Sequence, residues 1–323
     1  MIRISSAALA AAIVGFGASA IAQQPAQPPA ATAAPQRDFS KTEIKTTDLG
    51  DNTYMLEGEG GNITLAVGKA GVIMVDSQFP PLHDRIRAAI AKITKEPIKY
   101  LVNTHFHADH TSGDALFHKE GAIIVAQINV KNRLATGTTN GLTGVKTPPV
   151  EADGLPTETY TDHTTLKVKW RTALLGHPKN GHTDGDTYVL FRDANVLATG
   201  DIFTNGRYPN IDFANGGNIK GMIAGAETYL KLANDKTKIV PGHGPLASKA
   251  DLAAYLTMLE TARDRMAKLV KDGKSEADVL AAKPFADLDA KWAPSDQASK
   301  NFIRVVYHSL ADKPMAGMKM GSQ

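Results

Sequence analysis

One stretch, Asn103-Thr-His-Phe-His-Ala-Asp-His-Thr111, constrains this chain more than any other. It sets His105, His107, Asp109 and His110 close together, directly after the apolar run Tyr100-Leu-Val102. Three imidazoles and a carboxylate at that spacing do not share one face of a strand or a helix, whose side chains repeat every 2 and 3.6 residues. They suit a tight loop that leaves a strand, enters a helix and gathers its side chains around metal. Imidazole and carboxylate are ligands for zinc and its first-row neighbours. A solvated histidine-rich loop would account for the stretch alone, but the rest of the chain supplies further ligands.

Three more candidates each stand just past an expected strand end. His182 follows Gly181 at the mouth of a hairpin, Asp201 follows Gly200, and His243 lies between two glycines. A sheet can hold such side chains rigidly while their loops open to solvent. Singly, His182 and His243 read as loop histidines and Asp201 as a turn former. Together with the first stretch they make one ordered set: H-x-H-x-D-H, then His, then Asp, then His.

That set resembles the signature of the metallo-β-lactamase superfamily, over roughly residues 44–256. The resemblance implies an α+β fold, the αββα four-layer sandwich, here with extra C-terminal helices. It implies that His105, His107 and His182 hold one metal, that Asp109, His110 and His243 hold a second, and that Asp201 bridges them. The residues themselves show only ligand types and their order. Asp76, at the end of the run Val72-Ile-Met-Val75, matches a buried aspartate that orients a ligand histidine. It reads equally well as the cap of a turn.

The cofactor so implied is a pair of Zn2+ ions, with Fe2+ or Mn2+ as alternatives, about 3.5–4 Å apart. Such a pair lowers the pKa of a shared water to about 7 or below. The expected chemistry is hydrolysis by metal-bound hydroxide, with Asp109 as the catalytic residue that orients the water or takes its proton. A β-lactam is the first substrate expected, which would make the chain an antibiotic-resistance enzyme. Lactones and thioesters of the glyoxalase II type are the alternatives. Position 201 is Asp rather than the Cys or Ser of family β-lactamases, and Thr199-Gly-Asp-Ile-Phe203 resembles the glyoxalase II and lactonase pattern. Thr204 stands where a lysine often binds the β-lactam carboxylate; Arg207, Asn218 and Lys220 are the candidates to replace it. A reading from another class is a mononuclear iron persulfide dioxygenase using His105, His182 and Asp201. A non-catalytic binding protein would not require the full ligand set. The nucleic-acid branch of the family usually carries a large insertion that the interval 201–243 has no room for.

The chain contains no cysteine, so any metal is held by nitrogen and oxygen and the fold rests on its core. Its net charge is +3, without a long basic run, which favours a small-molecule substrate and no nucleic-acid partner. Arg3, the apolar run Ala7 to Ile21 and Ala20-Ile-Ala22 read as a bacterial signal peptide over 1–22. The mature protein is then expected in the periplasm or outside the cell, without stable membrane insertion. A Pro, Ala and Gln linker over 23–38 precedes a catalytic domain over 39–248 and a helical extension over 249–323 packed upon it.

Along the chain, helical spacing of Leu82, Ile86, Ala89, Ile90 and Ile93 predicts a helix with His83 on its exposed side. Leu166, Val168 and Trp170 alternate as in a half-exposed strand, and residues 136–156 read as an exposed loop. Helices are expected over 219–232, 252–269, 276–281 and 302–310. His118, His163 and His308 read as surface or partly buried residues, and His177 as structural or lining the mouth of the site. Gly216-Gly217 suggests a mobile loop able to close over substrate.

Overall fold

The computed structural model describes residues 37–311. The expected leader, most of the expected linker and residues 312–323 lie outside the described residues. Among the described residues no helix is long and apolar enough to cross a membrane.

The first half of the chain builds a seven-stranded mixed sheet. Its strands are β1 (Lys45–Gly50), β2 (Thr53–Glu57), β3 (Ile63–Gly68), β4 (Gly71–Val75), β5 (Ile98–Val102), β6 (Ile123–Gln127) and β9 (Glu158–Tyr160), in that spatial order. From β1 to β4 neighbours are antiparallel, and from β4 to β9 they are parallel. The parallel part needs crossovers. These are α1 (His83–Ile93), the short α2 (Ala108–Thr111) with α3 (Asp114–Lys119), and α4 (Ile128–Thr136). A small hairpin of β7 (Thr138–Thr139) and β8 (Lys146–Thr147) follows α4.

The second sheet has the order β10 (His163–Val168), β11 (Arg171–Gly176), β12 (Tyr188–Phe191), β13 (Val196–Ala198) and β14 (Lys238–Val240). Only the last pair is parallel, joined through α5 (Ile219–Leu232). The chain then runs through α6 (Lys249–Lys271), α7 (Glu276–Ala282), α8 (Ala286–Trp292) and α9 (Asp296–Ala311).

Strand alternation makes the layers. In β4, Ile73 and Val75 face the second sheet, where they share a core with Leu175, Phe191 and Val196. Val72 and Met74 point the other way, against Ile86 and Ile90 of α1 and Phe117 of α3. The outer face of the second sheet, at Leu197 and Ile239, is covered by Met222, Tyr255 and Leu259 of α5 and α6. Helix, sheet, sheet and helix therefore stack in that order, the expected αββα arrangement. Phe302 and Trp292, from α9 and α8, belong to the same apolar cluster as α5.

Several expectations need correcting. His83 is not exposed: its ring lies 4.7 Å from that of Phe117, and Glu120 approaches its Nε2 to 3.1 Å. Helical spacing placed it away from the sheet, but α3 covers that side too. Trp170 does not continue the β10 alternation; it sits in the turn before β11 with φ +72°, and is 68% exposed. Residues 136–156 include the β7–β8 hairpin rather than loop alone. The last helix is longer than expected, and α8 was not foreseen.

Candidate metal centre

Each candidate ligand is delivered by a strand end. After β5, the backbone N–H of Asn103 still pairs with Val125, and Thr104 N–H donates to Asp76 Oδ1 at 2.8 Å. The chain then turns through His105 and His107 into α2, which carries Asp109 and His110. His182 lies beyond β11, in a turn built on Asp186. That buried carboxylate accepts from His182 N–H at 2.7 Å and from both the N–H and hydroxyl of Thr183. Burial pushes Asp186 up to about 7 against those bonds. Asp201 follows β13 and His243 follows β14. Asn62 ties down the loop of His243, donating to the carbonyls of Pro241 and Gly244 at 2.9 Å each.

The seven side chains converge into two halves. In one, His107 Nδ1 lies 3.1 Å from His105 Nε2 and 2.8 Å from His182 Nε2. In the other, His243 Nε2 lies 3.2 Å from Asp109 Oδ2 and 3.3 Å from His110 Nε2. Asp201 lies between them. Its Oδ1 is 3.4 Å from His110 Nε2, and its Oδ2 is 3.4 Å from His243 Nε2 and 3.7 Å from His182 Nε2. Donor atoms held at about 2.0–2.1 Å around a tetrahedral zinc lie about 3.3 Å apart, so both halves have the spacing of ligand cages. Asp201 Oδ1 is buried without a hydrogen-bonded donor, as an atom awaiting a cation would be. The residues present fit metal, and the donor set is nitrogen and oxygen throughout.

The outer nitrogens of four of the five imidazoles are held. His105 Nδ1 meets Thr104 Oγ1 at 3.0 Å, His182 Nδ1 meets the carbonyl of Asn210 at 2.8 Å, and His110 Nδ1 meets Asp76 Oδ2 at 2.8 Å. His107 is turned the other way round: its Nε2 meets Asp212 Oδ2 at 2.9 Å, which leaves Nδ1 facing the cluster. Such partners fix ring orientation and raise ligand basicity. Asp76 is therefore more than a turn cap, and its backbone at φ +64° is a strained conformation held by three bonds from its carboxylate.

The electrostatics of the halves differ. Burial, then the neighbouring imidazoles, hold His105 well below its usual value, and burial with His107 brings His182 to about 4. These rings are neutral, as ligands must be. In the other half burial opposes charge but loses. The Asp201, Asp109 and Asp76 carboxylates hold His110 well above its usual value, and Asp201 and Asp109 lift His243 to about 9. Burial likewise fails to raise Asp109 and Asp201, because His110 and His243 hold both below the carboxylate range. Without metal, this half stores protons where cations fit.

Sequence reasoning missed Asp212, which lies in the glycine- and asparagine-rich loop over 205–218. That loop is clamped from outside by the C-terminal helices. Tyr208 stacks on Phe302 at 4.1 Å, its hydroxyl donates to Asp289 Oδ1 at 2.9 Å, and its N–H bonds to Trp292. Phe213 stacks on His308 at 5.2 Å. Gly216-Gly217 is packed rather than free: a Cβ at Gly217 would run into the His182 carbonyl. Of the proposed carboxylate binders, Asn218 caps α5 through Gly221 N–H, while Arg207 and Lys220 are exposed. His177 is structural, its Nδ1 bonded to the carbonyl of Asp186 at 2.7 Å. His163 is exposed, and His118 and His308 are partly buried, bonded to the Ala122 carbonyl and to Glu276.

Comparison with known proteins agrees with this geometry. A family model described as the metallo-beta-lactamase superfamily matches residues 56–244, more than half of the chain. The chain belongs to that superfamily. Among solved structures, a metallo-beta-lactamase from Pontibacter korlensis is similar at a TM-score of 0.57 and 17% identity, over 68% of this chain and 99% of its own. The DIM-1 metallo-beta-lactamase is similar at 0.54 and 18%, over 68% and 98%. TMB-1 is similar at 0.54 and 13%, over the same shares. At these identities the likeness is one of fold.

Proposed function

We propose that this chain is an exported dinuclear zinc hydrolase that opens a β-lactam. The observation that carries the dinuclear reading is Asp201, whose single carboxylate comes within 3.7 Å of imidazole nitrogens from both halves of the cluster. In this reading His105, His107 and His182 hold one ion, Asp109, His110 and His243 hold the other, and Asp201 joins them. When bound, the pair supplies Lewis acidity toward a carbonyl oxygen and acidifies water to about pKa 7.

The chain's own residues do the rest. Asp109 is 28% exposed and stands at the lip of the cluster. With Oδ2 turned to His243 and His110, its other carboxylate oxygen would orient the attacking water and take its proton, then return it to the leaving group. Asp76 and Asp212 keep His110 and His107 turned with the right nitrogen inward. No serine or cysteine nucleophile is required.

A β-lactam is the first substrate to test, because two of the similar solved proteins are named metallo-beta-lactamases and an exported chain meets such compounds. A second reading, hydrolysis of a lactone or thioester, rests on Asp201 itself, an aspartate where the resemblance gives β-lactamases Cys or Ser. The test is turnover of a chromogenic cephalosporin and a carbapenem by zinc-loaded protein, with and without chelator. Chelator-sensitive turnover supports the proposal. No turnover by protein that holds two zinc ions moves the reading to lactones and thioesters. Purified protein that carries a single iron and consumes oxygen overturns hydrolysis altogether. Export predicts a mature chain whose first residue is Gln23, read by N-terminal sequencing.

A further inference from the structure

A cavity of about 110 Å³ lies against the metal cluster, on the far side of α2. The same short helix serves both. Asp109 and His110 face the cluster, while Ala108 and Thr111 line the cavity together with Phe106, Leu134, Ala115 and Val150. His107 belongs to both: its Nδ1 faces His105 and His182, and the residue also lines the cavity. No charged side chain is among the lining residues. The floor is part of a buried apolar cluster of Phe106, Ala126, Val130 and Leu134. The outer wall is the β7–β8 hairpin and the segment after it, where Val150 is 36% exposed.

The geometry points to this cavity as a substrate subsite of the metal centre, taking a compact uncharged hydrocarbon group attached to the carbonyl that is cleaved. The inference rests on the hydrolase reading and narrows its substrate class. An uncharged lining leaves an anionic or cationic substituent without a partner, so the group is neutral. An apolar cavity of about 150 Å³ accepts benzene, so this smaller one suits a branched four- or five-carbon alkyl group. The position fits as well, because a group seated beside His107 is attached to an atom next to the half of the cluster formed by His105, His107 and His182. The wall also reports to the site. Thr139 of the hairpin accepts from Asn215 Nδ2 at 3.1 Å, and the same amide donates at 2.8 Å to Asp212, the partner of His107.

Two measurements test this, one of them independent of catalysis. First, protein labelled at its alanine methyls is titrated with 3-methylbutanol. Saturable shifts are expected at Ala108 and Ala115, and they are expected to vanish at Ala108 in Ala115→Leu, which fills the cavity; Ser112→Leu is the second filler if that variant does not fold. Second, zinc-loaded protein is assayed with thioesters of one thiol carrying acetyl, butanoyl, 3-methylbutanoyl or octanoyl groups, in which the varied chain is bonded to the carbonyl that is cleaved. Each methylene buried is worth about fourfold in kcat/KM, so the 3-methylbutanoyl compound is expected to exceed acetyl on the order of fiftyfold. Ala115→Leu is expected to reverse that preference and Val150→Ala to move it to a larger group. Absence of saturable shifts, or a kcat/KM that is flat across the acyl series, overturns the subsite. Failure of the hydrolase reading shows separately, as no turnover of any compound by protein holding two zinc ions. The methyl shifts and their loss in the filled variants then decide the cavity by themselves.

Discussion

Asp212 offers the sharpest test of how the cluster is held. Its Oδ2 accepts from His107 Nε2 at 2.9 Å and from Asn215 Nδ2 at 2.8 Å, within a largely buried carboxylate. A hydrogen bond to a charged group contributes about 1.5–3 kcal/mol, and a neutral one roughly half as much. Asp212→Asn keeps an acceptor but removes the charge, so about 1 kcal/mol is lost, or about fivefold in affinity at the half of the cluster containing His107. Asp212→Ala removes the bond entirely. The ring of His107 is then free to turn its other nitrogen inward, and about 2 kcal/mol, or about thirtyfold, is lost. The assay is competition for zinc against a chromophoric chelator, fitted to two stepwise constants. One constant is expected to weaken in the order wild type, Asn, Ala, while the other holds. Unchanged affinity in Asp212→Ala refutes the reasoning. So does an equal fall in both constants with an unchanged melting temperature, since the residue would then not act through His107.

Other outcomes follow from the same geometry. Asp201→Ala is expected to bind one metal equivalent instead of two, and a variant that retains two, by elemental analysis, shows that the carboxylate is no bridge. Tyr208→Phe keeps the stack on Phe302 and loses the hydroxyl's bonds to the Asp289 carboxylate and the Phe285 carbonyl, a cost of about 1.5–3 kcal/mol in denaturant unfolding. Tyr208→Leu loses both, and is expected to weaken zinc at the His107 half as well; normal zinc affinity in a destabilised Tyr208→Leu would show that the clamp matters to the fold alone. In the metal-free chain, Asp201 and Asp109 hold His243 at about 9 against its burial. An imidazole raised on folding contributes its full stability below the unfolded value of about 6.5 and loses it as pH climbs through the folded one. Chelator-treated protein is therefore expected to melt lower at about pH 10 than at about pH 6, with the gap reduced by zinc, which replaces those protons. A melting temperature that is level over that range contradicts the paired half.

The seven converging residues were legible in the sequence because their chemistry is distinctive and six of them follow closely on an apolar run, while His182 stands after a glycine in a turn beyond such a run. Four of them also fall in one short stretch. The layers were legible for a similar reason: Val72-Ile-Met-Val75 and Tyr100-Leu-Val102 are uninterrupted apolar strands that only a doubly covered sheet can bury. Asp212 was not legible, because its neighbours Ile211 and Phe213 give no period and its partner lies 105 positions away. His83 was misread because helical spacing reports the face toward the sheet and says nothing of a second helix on the opposite side. Trp170 was misread because alternation continues through a two-residue turn on paper, whereas the chain reverses there at a left-handed residue.

The clamp on the 205–218 loop bears on when the protein becomes competent. Asn210 and Asp212 turn His182 and His107 inward, and the loop that carries them is braced by Phe302 and His308 of α9, which follows it in the chain. A nascent chain emerging in order therefore displays His107 and His182 long before the partners that hold their rings in register. Metal capture is thus coupled to the completion of folding: a partly made or still unfolded chain offers loose imidazoles, and the finished one a preset cage.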